Sequence, residues 1–421
     1  MMAVRVQDID VYGRGVARDE GRIVFIEGAL PDELVDYQPL KRQKRFLEAK
    51  VGRIYEESPA RIAPLCPYYE QCGGCALQHF AFEAQVQAKE RFFTQQLQRI
   101  GQTSVQELLP PIAGKPWRYR TRTRLAVQYH DNAVRLGYFA RASHEVVDVS
   151  DCLIMDEQLA AVLPGVRDLL TALLPKRIKS LSLHRGEAAC ALQLESDAVL
   201  PLDVLEDWQR RQQGNWALWL NAECVAGDAQ GLFYDLPAEA VRIAFAPQDF
   251  TQVNPVVNRA LVAQAMAWVA QSQAESVVDF FAGLGNFSVP MAKRGLQVQA
   301  VEGVREMVER MQAVAAQNAV QERLAARRED LFKPSKKALK QWQQQDLWFL
   351  DPPRAGAAEL LRAMDKDKMR RMIYVSCDSA TLARDAQILA QKGFVAKAGL
   401  VANMFAQTAH VESMVRFERE H

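Results

Sequence analysis

Five apolar runs in the C-terminal part of the chain, SVVDFFAGLGNF, LQVQAVEG, QDLWFLDPPR, MRRMIYVSC and FVAKAGLVAN, constrain the fold more than any other feature. They are too continuous for strands with one face in water, and helical stretches separate them. That is the grammar of parallel strands buried on both faces of an open α/β sheet. Ligands of such sheets bind beyond the carboxyl ends of the strands. The residues at those ends are therefore the first candidates for a site.

The run SVVDF leads into Phe281-Ala282-Gly283-Leu284-Gly285-Asn286. Glycines at a strand-to-helix turn let a ligand approach the backbone, which makes Gly283, Gly285 and Asn286 cofactor candidates. Glu302, 19 positions after Gly283, ends the next run. A carboxylate there can accept from two ribose hydroxyls. Asp330 closes the third predicted strand segment, and Asp351 heads DPPR after the fourth. Any one of these is equally a helix N-cap or a solvated turn; carboxylates at successive strand ends point to a shared ligand. A dinucleotide wants a third glycine in G-x-G-x-x-G, and Ser288 stands there, so S-adenosylmethionine, with ribose and adenine but no phosphate, fits better. Cys377, in YVSCDSATLARD, sits where an apolar run gives way to a polar turn. A thiol there is either a small packing residue or a nucleophile.

At 421 residues the chain exceeds one ordinary domain, and three are expected, over 1–58, 59–240 and 241–421. The first alternates apolar and polar positions and is punctuated by Gly13, Gly15, Gly21 and Gly28, which predicts a small β-barrel. Its basic run, with Lys41 and Arg42 as nucleic-acid-contact candidates and Lys44 and Arg45 beside them, belongs on the surface, where a merely solvated charge run is the equal alternative. A helix is predicted over 83–100, ending at Gly101; packing of that helix on the last domain is expected. From Lys115 to Arg141 seven basic residues face one acid, Asp131. On a strand, Arg118, Arg120, Arg122 and Arg124 would project to one side and repel one another unless an anion lies across them. A phosphate backbone is the favoured anion, and a solvated edge strand the plainer alternative. The net charge of +1 gives no global pull toward nucleic acid, so binding must come from such patches.

Cys66, Cys72 and Cys75 cluster in CPYYEQCGGC, and Cys152 in VSDCLIMD is the candidate fourth ligand of an inorganic centre. Tetrahedral thiolates suit zinc or an iron–sulfur cluster, and spacing does not separate the two. Cys190 and Cys224 read as packing. No stretch is long and apolar enough to cross a bilayer, and the N-terminus lacks the apolar block of a signal peptide. A cytoplasmic, reducing location is expected, with no membrane association and no obligate protein partner implied.

Together, DFTQVNPVVN, DPPR, YVSC followed by TLARD, and MFAQTAHVESM resemble the motifs of the bacterial RNA uracil-5-methyltransferases that use S-adenosylmethionine, and the resemblance covers essentially the whole chain. It implies an α/β fold with a Rossmann-like class I methyltransferase domain, an N-terminal TRAM- or OB-like barrel, and a β-rich central domain whose four cysteines hold a 4Fe-4S cluster of structural character. It implies cofactor contacts from Gln252, Phe281, Glu302 and Asp330, with Asp351 lining the same pocket; from the residues alone Asp351 can equally bond the pyrimidine. Carbon 5 of uracil is a poor nucleophile, so a thiolate must first add to carbon 6, and a base must later remove the proton from carbon 5. Cys377 and Glu412 take these roles, with His410 structural or substrate-orienting. Members often carry proline after the phenylalanine of the last motif; Ala406 stands there instead, which predicts a looser loop. Barrel and cysteines together are similar to the branch that methylates a uridine of 23S ribosomal RNA. A transfer-RNA or second ribosomal target, a redox enzyme, and an RNA-binding protein with a vestigial methyltransferase domain are the rival readings.

Overall fold

The computed structural model describes residues 3–130, 133–174, 178–365 and 367–419; Asp131 falls outside them. Near the N-terminus, strands with alternating burial close on themselves. They are β1 (Val4–Ile9), β2 (Gly15–Asp19), β3 (Arg22–Glu27), β4 (Leu34–Arg42) and β5 (Phe46–Glu56), in the barrel order β1-β2-β3-β5-β4. Val4, Val6, Val24, Ile26, Val35 and Ala49 point inward to make its core. Lys41 and Arg42 fall on the exposed end of β4.

The cysteine-bearing stretch leads into α1 (Phe82–Arg99). This helix crosses to the last domain, where Phe93 and Leu97 are buried in that domain's core. β6 (Glu107–Leu108) then adds in parallel to the outer edge of that domain's sheet.

The central domain is one sheet of β7 (Arg122–His130), β8 (Ala133–Phe139), β9 (Val146–Asp148), β10 (Ser180–Arg185), β11 (Cys190–Glu195), β12 (Trp216–Leu220) and β13 (Glu223–Ala226). Their order is β13-β12-β11-β10-β7-β8-β9. Short α2 (Glu157–Ala161), α3 (Leu163–Ala172) and α4 (Leu202–Arg211) contribute to a core built around Leu125, Leu136, Leu181, Leu192 and Trp216. A hairpin of β14 (Phe233–Leu236) and β15 (Val241–Ala244) leads out of it.

The apolar runs form the third sheet as expected. After α5 (Pro255–Gln271) come β16 (Ser276–Phe280), α6 (Ser288–Lys293), β17 (Gln297–Glu302), α7 (Arg305–Gln317), β18 (Leu324–Arg328), α8 (Lys336–Trp342), β19 (Leu347–Leu350), α9 (Ala358–Ala363), β20 (Arg371–Ser376), α10 (Ser379–Gln391), β21 (Phe394–Ala402) and β22 (Glu412–Arg419). The order is β18-β17-β16-β19-β20-β22-β21-β6, with β16 to β20 parallel and β22 antiparallel to its neighbours. Adjacent residues bury on opposite faces: Val277 and Phe349 in one core, Val278 and Trp348 in the other. Strand order reverses between β16 and β19, and a switch point of that kind opens a crevice at the carboxyl ends.

One expectation fails. Arg118, Arg120, Arg122 and Arg124 do not form a single row, because the strand begins only at Arg122. Arg118 takes a left-handed φ of 52° and pairs with Asp151 at 2.8 Å. Arg120 bonds the Arg122 carbonyl, Arg122 lies over the Phe250 ring, and Arg124 pairs with Glu195. Acids hold the two ends of the run, a carbonyl and an aromatic ring take the two arginines between, and the four share no common outward face.

Candidate active site

The switch-point crevice is a cavity of about 1040 Å³. Its lining includes Gln252, Phe281, Gly283, Asn286, Glu302, Asp330, Asp351, Cys377, His410 and Glu412. Small-ligand pockets run to roughly 1,000 Å³, so this one has room for more than a single nucleoside.

At one end the backbone is shaped around Glu302. Its carboxylate accepts from the amides of Gly283 at 3.0 Å, Gly303 at 2.7 Å and Val304 at 3.0 Å. That fixes the oxygens and leaves one of the four lone-pair sites, on Oε2, without a backbone donor. Phe281, Gly283 and Gly285 all adopt positive φ. Gly285 lies just behind the lining, where a Cβ would meet Val289 Cγ2 at 2.8 Å. Asn286 lines the cavity, but its amide is engaged with Asn258 in both directions and accepts from the Tyr234 hydroxyl. Ser288, in the place of a third glycine, donates to buried Asp279. Burial pushes that carboxyl up to about 8. Asp330 accepts from the Phe332 amide, and the Phe332 ring packs against Phe281 at 5.8 Å.

At the other end, β20 delivers Cys377 and the start of β22 delivers Glu412. The TLARD stretch explains itself here. Asp385 is fully buried and accepts from the Tyr374 hydroxyl at 2.6 Å and the Ala357 amide at 2.8 Å. Thr381 donates to the Arg354 carbonyl and Arg384 to the Ala355 carbonyl. So α10 clamps the DPPR loop to the strand that ends in the thiol. Asp378 caps that helix through the Thr381 amide.

The charges around Cys377 are mostly negative. Burial first, then Glu412, Asp351 and Asp378, push the half-buried thiol up to about 11, while Arg354 pulls it down. Burial lifts Asp351 to about 7. Burial, with Asp351 beside it, holds Glu412 well above the ordinary carboxyl range. The arrangement offers a nucleophile, two carboxyls able to hold protons, and a cation within one cavity.

Phe405, Arg354, Tyr234, Met307, Arg328 and Phe332 also line the cavity. Sequence reasoning had not singled these out for the site, although Arg354, inside DPPR, and Phe405, inside MFAQTAHVESM, lay in motifs that could have flagged them. The loop at Ala406, expected to be loose, is held: the Tyr119 hydroxyl donates to the Ala406 carbonyl at 2.9 Å.

Cys66, Cys72, Cys75 and Cys152 line a second cavity of about 530 Å³, which shares Arg354, Phe405 and His410 with the first. Among the described residues, no three His, Cys, Asp or Glu side chains form a group able to hold a metal ion. Cys190 is buried as expected; Cys224 is exposed, so packing does not explain it. Its neighbours at the end of the sheet leave it in solvent.

The family model for tRNA (Uracil-5-)-methyltransferase matches residues 236–420. The 23S rRNA (uracil(1939)-C(5))-methyltransferase RlmD of Dichelobacter nodosus is 46% identical, over 99% of this chain and 98% of its own. The enzyme of that name from Dechloromonas aromatica is 37% identical, over 98% and 99%. The crystal structure of Pyrococcus abyssi tRNA (uracil-54, C5)-methyltransferase in complex with S-adenosyl-L-homocysteine superposes with a TM-score of 0.75 at 20% identity, covering 99% of this chain and 100% of that one. That likeness establishes the three-part fold, and the similarity along both full lengths establishes more: the chain belongs to the RNA (uracil-5-)-methyltransferase family.

Proposed function

We propose that the protein methylates carbon 5 of a uridine in 23S ribosomal RNA, with S-adenosylmethionine as donor, through a transient bond between Cys377 and carbon 6. One observation carries this reading: the thiol, both carboxyls and the ribose-type cradle of Glu302 line a single cavity. The choice of ribosomal RNA rests on the relatives named above, whose similarity includes the barrel and the cysteine segment.

S-adenosylmethionine, when bound, supplies an electrophilic methyl on a positive sulfonium. The rest belongs to the chain. Glu302, with Gly283 and Gly303 behind it, and Gln252, Phe281, Asp330 and Asp351 form the donor's seat. Cys377 gives up its proton to a neighbouring carboxyl as the base enters, and its Sγ bonds carbon 6 while the ring electrons move onto the carbon 4 oxygen. Those electrons return through carbon 5 to the methyl, whose bond to the donor's sulfur breaks with its electron pair left on that sulfur. Glu412 then takes the carbon 5 proton, the ring electrons expel sulfur, and the thiolate is restored. A paired base cannot reach Cys377, so the uridine must leave its stack. Arg122, whose guanidinium lies over the ring of the cavity-lining Phe250, would steady the RNA around it together with Lys41 and Arg42 on the exposed end of β4 in the TRAM-like barrel.

The four cysteines fit a 4Fe-4S cluster by donor chemistry: four thiols around one cavity are the ligand set such clusters use. No helix among the described residues is long and apolar enough to cross a membrane. A ribosomal substrate places the work in the cytoplasm.

An RNA fragment carrying 5-fluorouridine tests the chemistry, because fluorine cannot leave as a proton and the adduct accumulates. We expect a denaturant-stable complex with the wild type and none with Cys377→Ala, which also loses methylation. Methylation by Cys377→Ser at the wild-type rate would overturn the mechanism. Anaerobically purified protein should hold iron and absorb broadly in the visible; stoichiometric zinc without iron would refute the cluster.

A further inference from the structure

By position in the chain, α1 belongs with the cysteine segment, yet one of its side chains reaches into the catalytic domain. Lys89 is 3% exposed. Its Nζ donates to Asn403 Oδ1 at 2.7 Å and to the Phe405 carbonyl at 2.9 Å. Among the described residues no carboxylate pairs with it, and burial alone pushes the ammonium down to about 7. A buried ammonium without a counter-ion is costly, and an apolar side chain of similar length would remove that cost. The stability of α1 therefore does not account for Lys89.

What the ammonium holds is the segment between β21 and β22. That segment carries Phe405 and His410 into the reaction cavity and delivers Glu412. It is tied down almost entirely from outside its own sheet. The Gln407 carbonyl accepts from the Ala76 and Leu77 amides, Gln85 exchanges bonds with Gln407, and Tyr119 bonds Ala406. Of these ties, Lys89 alone carries a charge, and it grips the residue whose ring packs against His410 at 5.7 Å.

We propose that Lys89 is a positioning residue for the reaction: its ammonium fixes the Asn403–Phe405 turn, and through that turn Phe405 and His410, against the target base. The proposal rests on the catalytic reading above. Hydrogen bonds from a charged donor are the stronger kind, which suits a turn that must not shift.

Lys89→Met keeps the length and removes the charge and both bonds. We expect single-turnover methylation of a ribosomal RNA fragment to fall about 30- to 100-fold, with the KM for RNA and the affinity for S-adenosylmethionine within about threefold of wild type. The melting temperature should change little, because losing the buried charge offsets leaving Asn403 Oδ1 and the Phe405 carbonyl without their donor. Asn403→Leu should lose part of the rate, and the double variant should be within about twofold of Lys89→Met, as residues acting through one turn are not additive. Hydrogen exchange should quicken at 403–410 while α1 stays protected. An unchanged rate, additive losses, or a rate loss that merely tracks a fall in melting temperature would overturn the proposal. Should Lys89→Met fail to fold, Asn403→Leu carries the test through the same rate and exchange measurements. If the wild type methylates no RNA, the catalytic reading fails, and the exchange experiment still decides whether Lys89 pins the turn.

Discussion

Cys377 sits among three carboxyls and one guanidinium, and that balance sets its resting state. With burial first, then Glu412, Asp351 and Asp378, raising the thiol and Arg354 lowering it, the free protein holds a thiol, not a thiolate, at neutral pH. Alkylation of Cys377, followed on its own peptide by mass spectrometry, should therefore be slow at pH 7 and rise with pH toward a midpoint near 11. The sign of a neighbour's effect follows directly. Removing an anion makes the thiolate easier to form, so Glu412→Gln should move the midpoint down by ~0.5–1 unit, and removing the Arg354 cation should move it up. A midpoint that rises in Glu412→Gln contradicts the arrangement. That Cys377 and Glu412 belong to one site was legible in the motifs, and one cavity holds both, whereas the influence of Arg354 was not, because DPPR reads as a turn and nothing in its letters says where the guanidinium will point.

Among elements, the β16–α6 turn shows how two glycines of one motif do different work. Gly283 has φ of 58° and Gly285 of 92°, both left-handed. A Cβ at Gly283 meets only Met307 Cε, at 3.6 Å, whereas at Gly285 it meets Val289 Cγ2 at 2.8 Å and Met311 Cγ at 3.3 Å. Gly283→Ala should thus cost about 1–2 kcal/mol from backbone strain alone. Gly285→Ala adds overpacking and should cost about 2–4 kcal/mol in all, read by denaturant unfolding. Equal losses would show that the close packing is relieved by movement of α6 or α7. The turn itself was readable from its glycines, as were the buried strands from their apolar runs and the end of α1 from Gly101. The arginine strand was not. Alternation predicts a row from Arg118 to Arg124, but Asp151 and Glu195, far along the chain, capture its two ends and let the first turn out of extended geometry. The docking of α1 was expected, but its partners were hidden for the same reason: Lys89 meets Asn403 across 314 positions, a contact that no local pattern encodes.

For the whole molecule, the catalytic domain is not closed by the residues that follow position 240. Phe93 and Leu97 of α1 are 0% and 1% exposed within its core, against Phe394, Ala383 and their neighbours. β6 covers the edge of β21 that would otherwise stand open, and the Gln85, Lys89 and Tyr119 side chains hold the segment before β22. Burying one large apolar side chain is worth about 1.5–3 kcal/mol, so the two core residues alone supply ~3–6 kcal/mol. A domain's whole margin is about 5–15 kcal/mol. A fragment beginning at residue 241 should therefore aggregate or melt far below the full chain, and should bind S-adenosylmethionine weakly in calorimetry. A fragment in which residues 82–109 are joined to 241–421 by a flexible linker should regain most of that stability and binding, because it restores α1 and β6 without the barrel or the central sheet. If the shorter fragment melts with the full chain, the helix is only an ornament on a self-sufficient sheet, and the ties that cross from the cysteine segment to the reaction cavity do not govern it.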